Sequence, residues 1–273
     1  MKSIITLVCF LAISNFYLHA QNCNFYLLEG DTCQYEACKI AEPRNIHYQY
    51  SKEYQEICDE AIAHCPEYAP AYSHKSTAYL KSGDFVTWEY LMGKAVDLAP
   101  QDYLAYRGWC RYSFFLDYQG AIDDLERLES LIGYETGYSS EGDYHLQVAR
   151  ALCYKGLGNK EKAIALLETY LQKSNGDGRL YNNLHLGVLY LETGQIGKAK
   201  TAMKKQLEIN DLAEAHYYMA LIYKAENDSN SARTHLNLAK TQYEAGLRMR
   251  HDYTHHMDKI YLVQIDSALS ADF

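Results

Sequence analysis

The chain lacks the short motifs that mark the commonest enzyme and nucleotide sites. It has no Walker-type phosphate loop, no HExxH, no GxSxG and no paired CxxC motif, and its four prolines are scattered among 273 residues. These motifs supply a phosphate cradle, a pair of metal ligands or an activated nucleophile, so without them no catalytic constellation is recognisable. The sequence therefore predicts a protein that is not an enzyme and that needs no cofactor.

Basic residues are also fewer than acidic residues. Without its first twenty residues the chain carries 25 lysines and arginines against 35 aspartates and glutamates, a net charge of −10. Nucleic acids and anionic membranes attract basic surfaces, so the balance argues against either as the main partner. Tracts of proline, serine or glutamine are absent and 48% of residues are apolar, which predicts a folded core with little disorder.

Only the start of the chain has the pattern of a targeting segment. Lys2 precedes a mainly apolar run over residues 4–13, and Ala20 provides a small residue before an expected cut at Gln21. The run is too short to span a bilayer, which takes about 20 apolar residues. Residues 1–20 are therefore predicted to be a cleaved signal peptide. The mature chain would then reach the periplasm or the exterior without a membrane-inserted segment.

What the chain does have is a local pattern that recurs near every 34 residues. In the copy that begins at Leu180, small residues fall at Gly187 and Ala199, and Gly194 ends the first of two helices. The other regular copies begin at Ala69, Tyr144 and Ala213. Small residues let two antiparallel helices approach closely, and Gly or Asn tolerates the left-handed conformation that ends a helix. The pattern predicts a series of helical hairpins.

These residues and their spacing resemble the tetratricopeptide repeat. The resemblance implies an all-α fold, a right-handed superhelical solenoid of antiparallel helix hairpins with an N-terminal cap. The expected domains are a cysteine-rich capping hairpin at 21–68, repeats at 69–246 and a C-terminal capping tail at 247–273. Within the repeats the expected units are 69–101, 102–143, 144–177, 180–212 and 213–246. The tail is expected to fold back on the last repeat, with a partner-binding strand over Lys259–Ile265 as the alternative.

Some positions break the pattern. Leu116 stands where a turn glycine is expected, Trp88 stands where a small residue is expected, and residues 136–143 form an insertion. Positions that depart from the repeat pattern are not required for packing between repeats, so they can determine which partner is bound. Arg107 and the insertion are therefore the candidates for specificity.

The resemblance also implies which residues would bind a partner. In the family, fixed positions of each first helix face the concave side of the superhelix. The candidate groove residues, with Arg107 added, are Ser73, Thr77, Arg107, Val148, Leu152, Leu184, Val188, Tyr217, Leu221 and Lys224. Ser73 and Thr77 do not supply the Lys and Asn of the carboxylate clamp found in chaperone-binding members. The resemblance thus implies a protein-interaction scaffold that takes an amphipathic helix or an extended peptide along a largely apolar groove.

Five of the seven cysteines beyond residue 20 lie in the first third of the chain, which suits a cross-linked start to an exported protein. Cys58 and Cys65 lie seven residues apart, about 10 Å along one helix, and cannot bond to each other. A helical hairpin that turns near residues 43–50 would bring Cys33 to Cys65 and Cys38 to Cys58. Two disulfides with this pairing are predicted. Reduced, buried cysteines throughout are the alternative.

Two other functions stay open at this point. An envelope- or glycan-binding accessory module would use exposed aromatic residues, for which the candidates are Tyr134, Tyr138 and Tyr144. A thiol or metal protein would use the cysteine-rich start or a histidine cluster formed by His251, His255 and His256. His251 and His255 would lie on adjacent turns of a helix. A solvated polar linker is the other interpretation of the cluster, and no metal site is assigned. The partner's identity and the oligomeric state do not follow from the sequence.

Overall fold

A computed structural model describes residues 22–133, 136–174, 180–251 and 253–271. Within these ranges the chain forms fourteen α-helices, and its only β pairing is an isolated bridge between Tyr138 and His145. The chain divides into two compact units between Leu91 and Met92. No helix in the described part has the length and apolar character needed to cross a membrane. The predicted signal peptide lies outside the described residues.

The first unit contains the cysteine-rich start. Its helices are α1 (Asn24–Leu28), α2 (Thr32–Ala41), α3 (Lys52–His64), α4 (Ala69–Ser82) and the first half of α5 (Phe85–Leu98). The side chains of Asp31 and Ser51 accept hydrogen bonds from backbone N–H groups in the first turns of α2 and α3. Such caps satisfy donors that have no partner inside the helix, which is why the two helices begin where they do.

Two disulfides cross-link this unit. Cys33 is bonded to Cys65, and Cys23 is bonded to Cys38, with Cα atoms 5.6 Å apart in each pair. The predicted bridge between Cys38 and Cys58 is wrong, because Cys38 is bonded to Cys23 and Cys58 is a buried free thiol. Antiparallel packing of α2 against α3 places Cys33 beside Cys65, as the spacing argument required. That argument did not include α1, which packs on α2 and brings in Cys23.

The second unit is a run of helical hairpins. After the second half of α5 it contains α6 (Pro100–Cys110), α7 (Tyr118–Ile132), α8 (Leu146–Gly156), α9 (Lys160–Lys173), α10 (Asn182–Glu192), α11 (Ile196–Ile209), α12 (Ala213–Ala225), α13 (Ser229–Glu244) and α14 (Leu262–Ser270). The pairs α6 with α7, α8 with α9, α10 with α11 and α12 with α13 pack as hairpins. Each hairpin contacts the next through its second helix, and the first helices α8, α10 and α12 also contact in order.

The turns inside the hairpins lie where the repeat pattern placed them. Gly194 and Asn227 follow the first helices α10 and α12 with φ of +74° and +60°, in the left-handed region. Leu116 also adopts this conformation, with φ of +54°, after a π-helical turn over Arg111–Phe115. A side chain with a Cβ disfavours this region by about 1–2 kcal/mol. Leu116 therefore takes the place of a turn glycine at some cost in backbone strain.

Candidate functional site

Most of the candidate groove residues do not form an open surface. In the second unit four of them are at most 2% exposed: Val148, Leu152, Leu184 and Val188. Tyr217 and Leu221 are half-buried and Lys224 is exposed. In the first unit Ser73 and Thr77 are half-buried on α4. The four apolar candidates on α8 and α10 are thus not accessible to solvent.

Arg107 joins the two helices of its own hairpin. Its Nε and one terminal nitrogen lie 2.9 and 2.6 Å from the two carboxylate oxygens of Asp124, which is a bidentate pair. Arg111 adds a further contact to Asp124 at 3.0 Å. Because α6 carries the arginine and α7 the aspartate, the pair holds this hairpin closed. Arg107 is therefore engaged inside the hairpin and does not present its guanidinium to a ligand.

A loop near the C-terminus runs between α13 and α14. It comprises residues 246–251 and 253–261 and is called the C-terminal loop below. The carboxylate of Glu214, in the first turn of α12, accepts hydrogen bonds from the N–H group of Met249. Ile260, near the other end of the loop, packs in a cluster with Ala213 in the same turn, so both ends lie at the start of α12 in the arrangement of an Ω-loop. Residues 262–270 continue as α14, which packs on α13, and not as the strand considered from the sequence.

The loop contacts three successive first helices through Asp258. One carboxylate oxygen of Asp258 lies 2.5 Å from Nζ of Lys155 on α8, and the other lies 2.7 Å from Nδ1 of His185 on α10. The hydroxyl of Tyr218 on α12 donates to the carbonyl oxygen of Asp258 at 3.1 Å. The side chains of Asp258, Lys155 and His185 are 6%, 8% and 0% exposed. One residue of the loop is therefore recognised by α8, α10 and α12 together.

Asp258 is held as a carboxylate in this buried place. Burial by itself would raise the pKa of Asp258, but the hydrogen bond from His185 and the charge of Lys155 outweigh it and hold the pKa below its usual value. Lys155 has a second acidic neighbour, since its Nζ also lies 3.3 Å from a carboxylate oxygen of Glu192. The site is a small cationic pocket, built on α8 and α10, that contains one desolvated carboxylate.

Tyr144 extends this network to His256. The Tyr144 hydroxyl lies 3.0 Å from Nε2 of His185 and 3.3 Å from Nδ1 of His256, whose Nε2 donates to the carbonyl oxygen of Arg250 at 3.2 Å. Burial lowers the pKa of His256 to about 4, so its ring is neutral at physiological pH. The polar atoms of these groups are thus hydrogen-bonded within the network. The arrangement joins the C-terminal loop to α10 through His185.

One group of possible metal ligands occurs in the described part of the chain. Ligand atoms of Glu141, Asp143 and His251 lie within 4.8 Å of one another. Nδ1 of His251, however, accepts hydrogen bonds from the N–H groups of Tyr253 and Thr254 at 3.2 and 3.1 Å. A neutral imidazole then has its proton on Nε2, the atom that faces Glu141 at 3.4 Å. A metal at Nε2 would have to displace this proton, which could move to Nδ1 only if the two backbone hydrogen bonds were broken, so the arrangement disfavours a metal site.

The alternatives considered from the sequence meet specific obstacles. His251 and His255 do not lie on adjacent helical turns, because this segment is a loop, and His255 stacks on Tyr261. Tyr144 is 1% exposed and cannot form part of an exposed aromatic platform, while Tyr134 lies outside the described residues. The thiols of Cys110 and Cys153 are buried, and burial raises both pKa values well above the usual range. No reactive thiolate is expected there.

An open groove exists elsewhere in the second unit, between α9, α10 and α11. It has a volume of about 620 Å³ and is lined by Glu168, Leu171, Leu186, Tyr190, Lys198 and Lys205, among others. The Tyr190 hydroxyl donates a short hydrogen bond to Glu168, and Lys198 lies 3.5 Å from the same carboxylate. Three of its polar side chains are thus paired with one another.

Comparison with known families agrees with this geometry. Family models described as tetratricopeptide repeat match residues 147–174 and 180–211, which correspond to α8 with α9 and α10 with α11. The segment from α8 to α11 therefore contains two tetratricopeptide repeats. No curated protein matches it significantly in sequence. In this family setting α8, α10 and α12 are the first helices of three consecutive repeats, and the C-terminal loop lies against all three.

Solved structures of other tetratricopeptide-like proteins share the fold at low sequence identity. MamA from residue 41 to its end, from Desulfovibrio magneticus RS-1, is 16% identical, with a TM-score of 0.54, and the match covers 65% of this chain and 96% of that MamA chain. PilW, a type IV pilus biogenesis factor, is 14% identical, with a TM-score of 0.56 over 81% of this chain and 90% of PilW. A tetratricopeptide repeat protein from Parabacteroides merdae is 13% identical, with a TM-score of 0.50 over 90% and 94%. What these proteins share with this chain is the fold.

Proposed function

We propose that the protein is a non-enzymatic scaffold that binds an extended segment of a partner protein on α8, α10 and α12. The observation that supports this function most directly is that these helices already bind a polypeptide, namely the C-terminal loop. The contacts are those of peptide recognition. A cationic pocket binds a carboxylate, a hydroxyl donates to a backbone carbonyl, and a carboxylate accepts from a backbone N–H group. A surface with these donors and acceptors is suited to a second polypeptide of the same chemistry.

In this proposal the C-terminal loop is the resident ligand of the groove. A partner binds only to the fraction of molecules in which the loop has left, so its apparent affinity falls in proportion to that fraction. A substitution that weakens the loop should therefore strengthen partner binding. Asp258→Asn is suitable because it keeps the size of the side chain and removes the charge that Lys155 and His185 recognise.

A peptide library displayed on phage tests the proposal. It would be selected on the wild-type protein, on Asp258→Asn and on Asp266→Asn. The last is a matched control, because Asp266 pairs with Lys240 at 2.7 Å in the same part of the chain but on the surface, with both side chains at least 40% exposed. Peptides should be enriched on Asp258→Asn well above the other two proteins. Failure to enrich peptides on any of them would refute the proposed function.

We also propose that the chain is exported. Two disulfides in the first unit support this, because such bonds persist in oxidising compartments and are rare in the cytosol. Mass spectrometry of the protein purified from its natural source should find a mature N-terminus at Gln21. A protein that retains Met1 and has free thiols at all four bonded cysteines would contradict export.

A further inference from the structure

We infer that the groove on α8, α10 and α12 recognises an acidic residue followed two positions later by an aliphatic residue, and that Asp258 and Ile260 are the copy of this signal which the chain itself carries. The inference rests on the proposed function and specifies the partner: a protein that presents such a pair in an accessible extended segment. The C-terminal loop is then an intramolecular competitor of that partner.

The groove recognises the first position of the signal, the acidic residue, by its charge. The pocket around Asp258 supplies two nitrogen groups from different helices, at 2.5 and 2.7 Å, and both are almost fully buried. Hydrogen bonds to a charged partner are stronger than neutral ones, and a buried cation is unfavourable without an anion. A neutral side chain at this position would leave Lys155 with Glu192 as its neighbouring carboxylate and would replace the charged acceptor of His185 with at most a neutral one.

The second position is read by shape and apolar character. Ile260 is fully buried and packs with Ala213 on α12, Ala239 on α13 and Ile265 on α14. A polar side chain here would lose its water without gaining a partner. An aliphatic residue is therefore favoured two positions after the acid.

The residue between them also acts on the groove, because burial raises the pKa of Glu214 on α12 and the nearby charge of Lys259 opposes that rise. Lys259 is half-buried, and its ammonium group faces the ring of Tyr261, a member of the same loop, at 5.6 Å. The backbone before this residue is fixed by the groove, because Tyr218 donates to the carbonyl of Asp258. Backbone hydrogen bonds that set the position of a segment, with pockets for alternate side chains, are a general mode of peptide recognition.

The tethered loop should keep the groove closed against weak ligands. A segment joined to its site by a short connection acts at an effective concentration in the millimolar range. A free peptide at micromolar concentration therefore competes poorly with the wild-type loop. It should bind once the carboxylate of the loop has been neutralised.

A binding experiment with the full-length chain tests the signal. The probe is a fluorescein-labelled peptide with the sequence of residues 254–265, and the readout is fluorescence anisotropy. The peptide should bind Asp258→Asn at least about tenfold more tightly than it binds the wild type or Asp266→Asn. Peptide variants with Asn at the Asp258 position, or Ser at the Ile260 position, should each bind about tenfold more weakly, the change expected for loss of one charged contact or one buried aliphatic side chain.

A receptor variant assigns the charge preference to the pocket. In Lys155→Met combined with Asp258→Asn, the preference for the Asp peptide over the Asn peptide should fall, and only the part that His185 supplies should remain. If the two peptides bind equally to Asp258→Asn itself, or if the preference is unchanged without Lys155, the inference is wrong.

A second measurement covers the case in which Asp258→Asn unfolds. A protease site inserted at residue 252 allows the wild-type loop to be cut while the other residues are retained. The freed C-terminal fragment should then be replaced in the groove by the labelled peptide. Excess unlabelled Asp peptide should displace the bound label more effectively than excess unlabelled Asn peptide. Equal exchange with both would overturn the inference. Enrichment of library peptides without an acidic–aliphatic pair would refute this signal and leave the proposed function standing, whereas no binding to any opened groove would refute both.

Discussion

The contact between Asp258 and the repeat helices should contribute measurably to stability. Removal of one partner of a buried ion pair typically costs about 3–5 kcal/mol, mainly because the other charge is left unpaired. Here Lys155 keeps Glu192 at 3.3 Å, and the amide oxygen of an asparagine can still accept one hydrogen bond. We therefore expect Asp258→Asn to lower the free energy of unfolding by about 2–3 kcal/mol, below the usual range.

The pH dependence of this loss identifies its cause. The pKa of Asp258 is lowered in the folded protein, so the folded state favours the carboxylate. Its stabilising contribution is fully present above the pKa of an unfolded aspartate, about 3.9, and is lost as the pH falls through the folded value. The difference between wild type and Asp258→Asn should therefore be constant between about pH 7 and pH 5 and should shrink below about pH 4. An effect of side-chain shape alone would not depend on pH.

Urea unfolding followed by circular dichroism at several pH values measures both quantities. For a unit of this size, the expected loss also corresponds to a fall in melting temperature of roughly 5–10 °C. Asp266→Asn should change stability little, because its pair with Lys240 is exposed. A loss below about 1 kcal/mol at pH 7, or a difference that does not shrink in acid, would refute the account of Asp258 as a buried, paired carboxylate.

Three further predictions concern other parts of the chain. Gly187→Ala should change the free energy of unfolding by less than about 1 kcal/mol in urea titrations, because the added Cβ would lie 2.7 Å from Cε of Met203, the end of a flexible side chain, and alanine favours the helix by about 1 kcal/mol; a loss above about 2 kcal/mol would show that Met203 cannot move aside. Burial raises the pKa of Cys58 to about 11, so iodoacetamide should label this thiol only after unfolding, and a non-reducing peptide map should show it bonded to no other cysteine. Burial and the nearby charge of Arg44 lower the pKa of His74 to about 4, so the unfolded chain takes up the proton first as the pH falls from about 6.5 to 4. Stability should fall by about 3 kcal/mol over this range, and His74→Asn should flatten that slope in pH-dependent melts.

The hairpins of the second unit could be predicted because the information is local. The small residues Ala163, Ala199 and Ala232 recur at one position of each copy, and each is fully buried in the structure. Gly194 and Asn227 mark the turns within the same copies. Spacing of a few residues determines which side chains meet within a helical hairpin, and the copies repeat that spacing several times. Family-level features of this kind are visible in one sequence.

The closed groove could not be predicted for the opposite reason. Lys155 and Asp258 are separated by 103 residues, and no repeated spacing links them. From the sequence, Asp258 belongs to a polar segment beside three histidines, which is typical of a solvated linker. Residues such as Leu152 and Leu184 were placed on the binding face of the first helices, but the sequence did not indicate that this face would be covered. A lysine in a largely apolar lining was the one available signal, because a buried lysine requires an acidic partner.

Because of the groups around Lys155, replacement of Asp258 by the acidic residue of a partner should be more favourable than release of the C-terminal loop alone. When Asp258 leaves, Lys155 remains next to Glu192, which itself lies 3.0 Å from Lys160, so the open groove does not contain an isolated buried cation. Asp258 also adopts a left-handed backbone conformation, with φ of +65°, and release of the loop relieves that strain. A partner whose acidic residue reaches the pocket with a relaxed backbone would make the same charged contacts without this strain. The partner would then bind more favourably than the loop because its backbone is not strained. The groove's preference for an acidic residue would still come from the charged contacts.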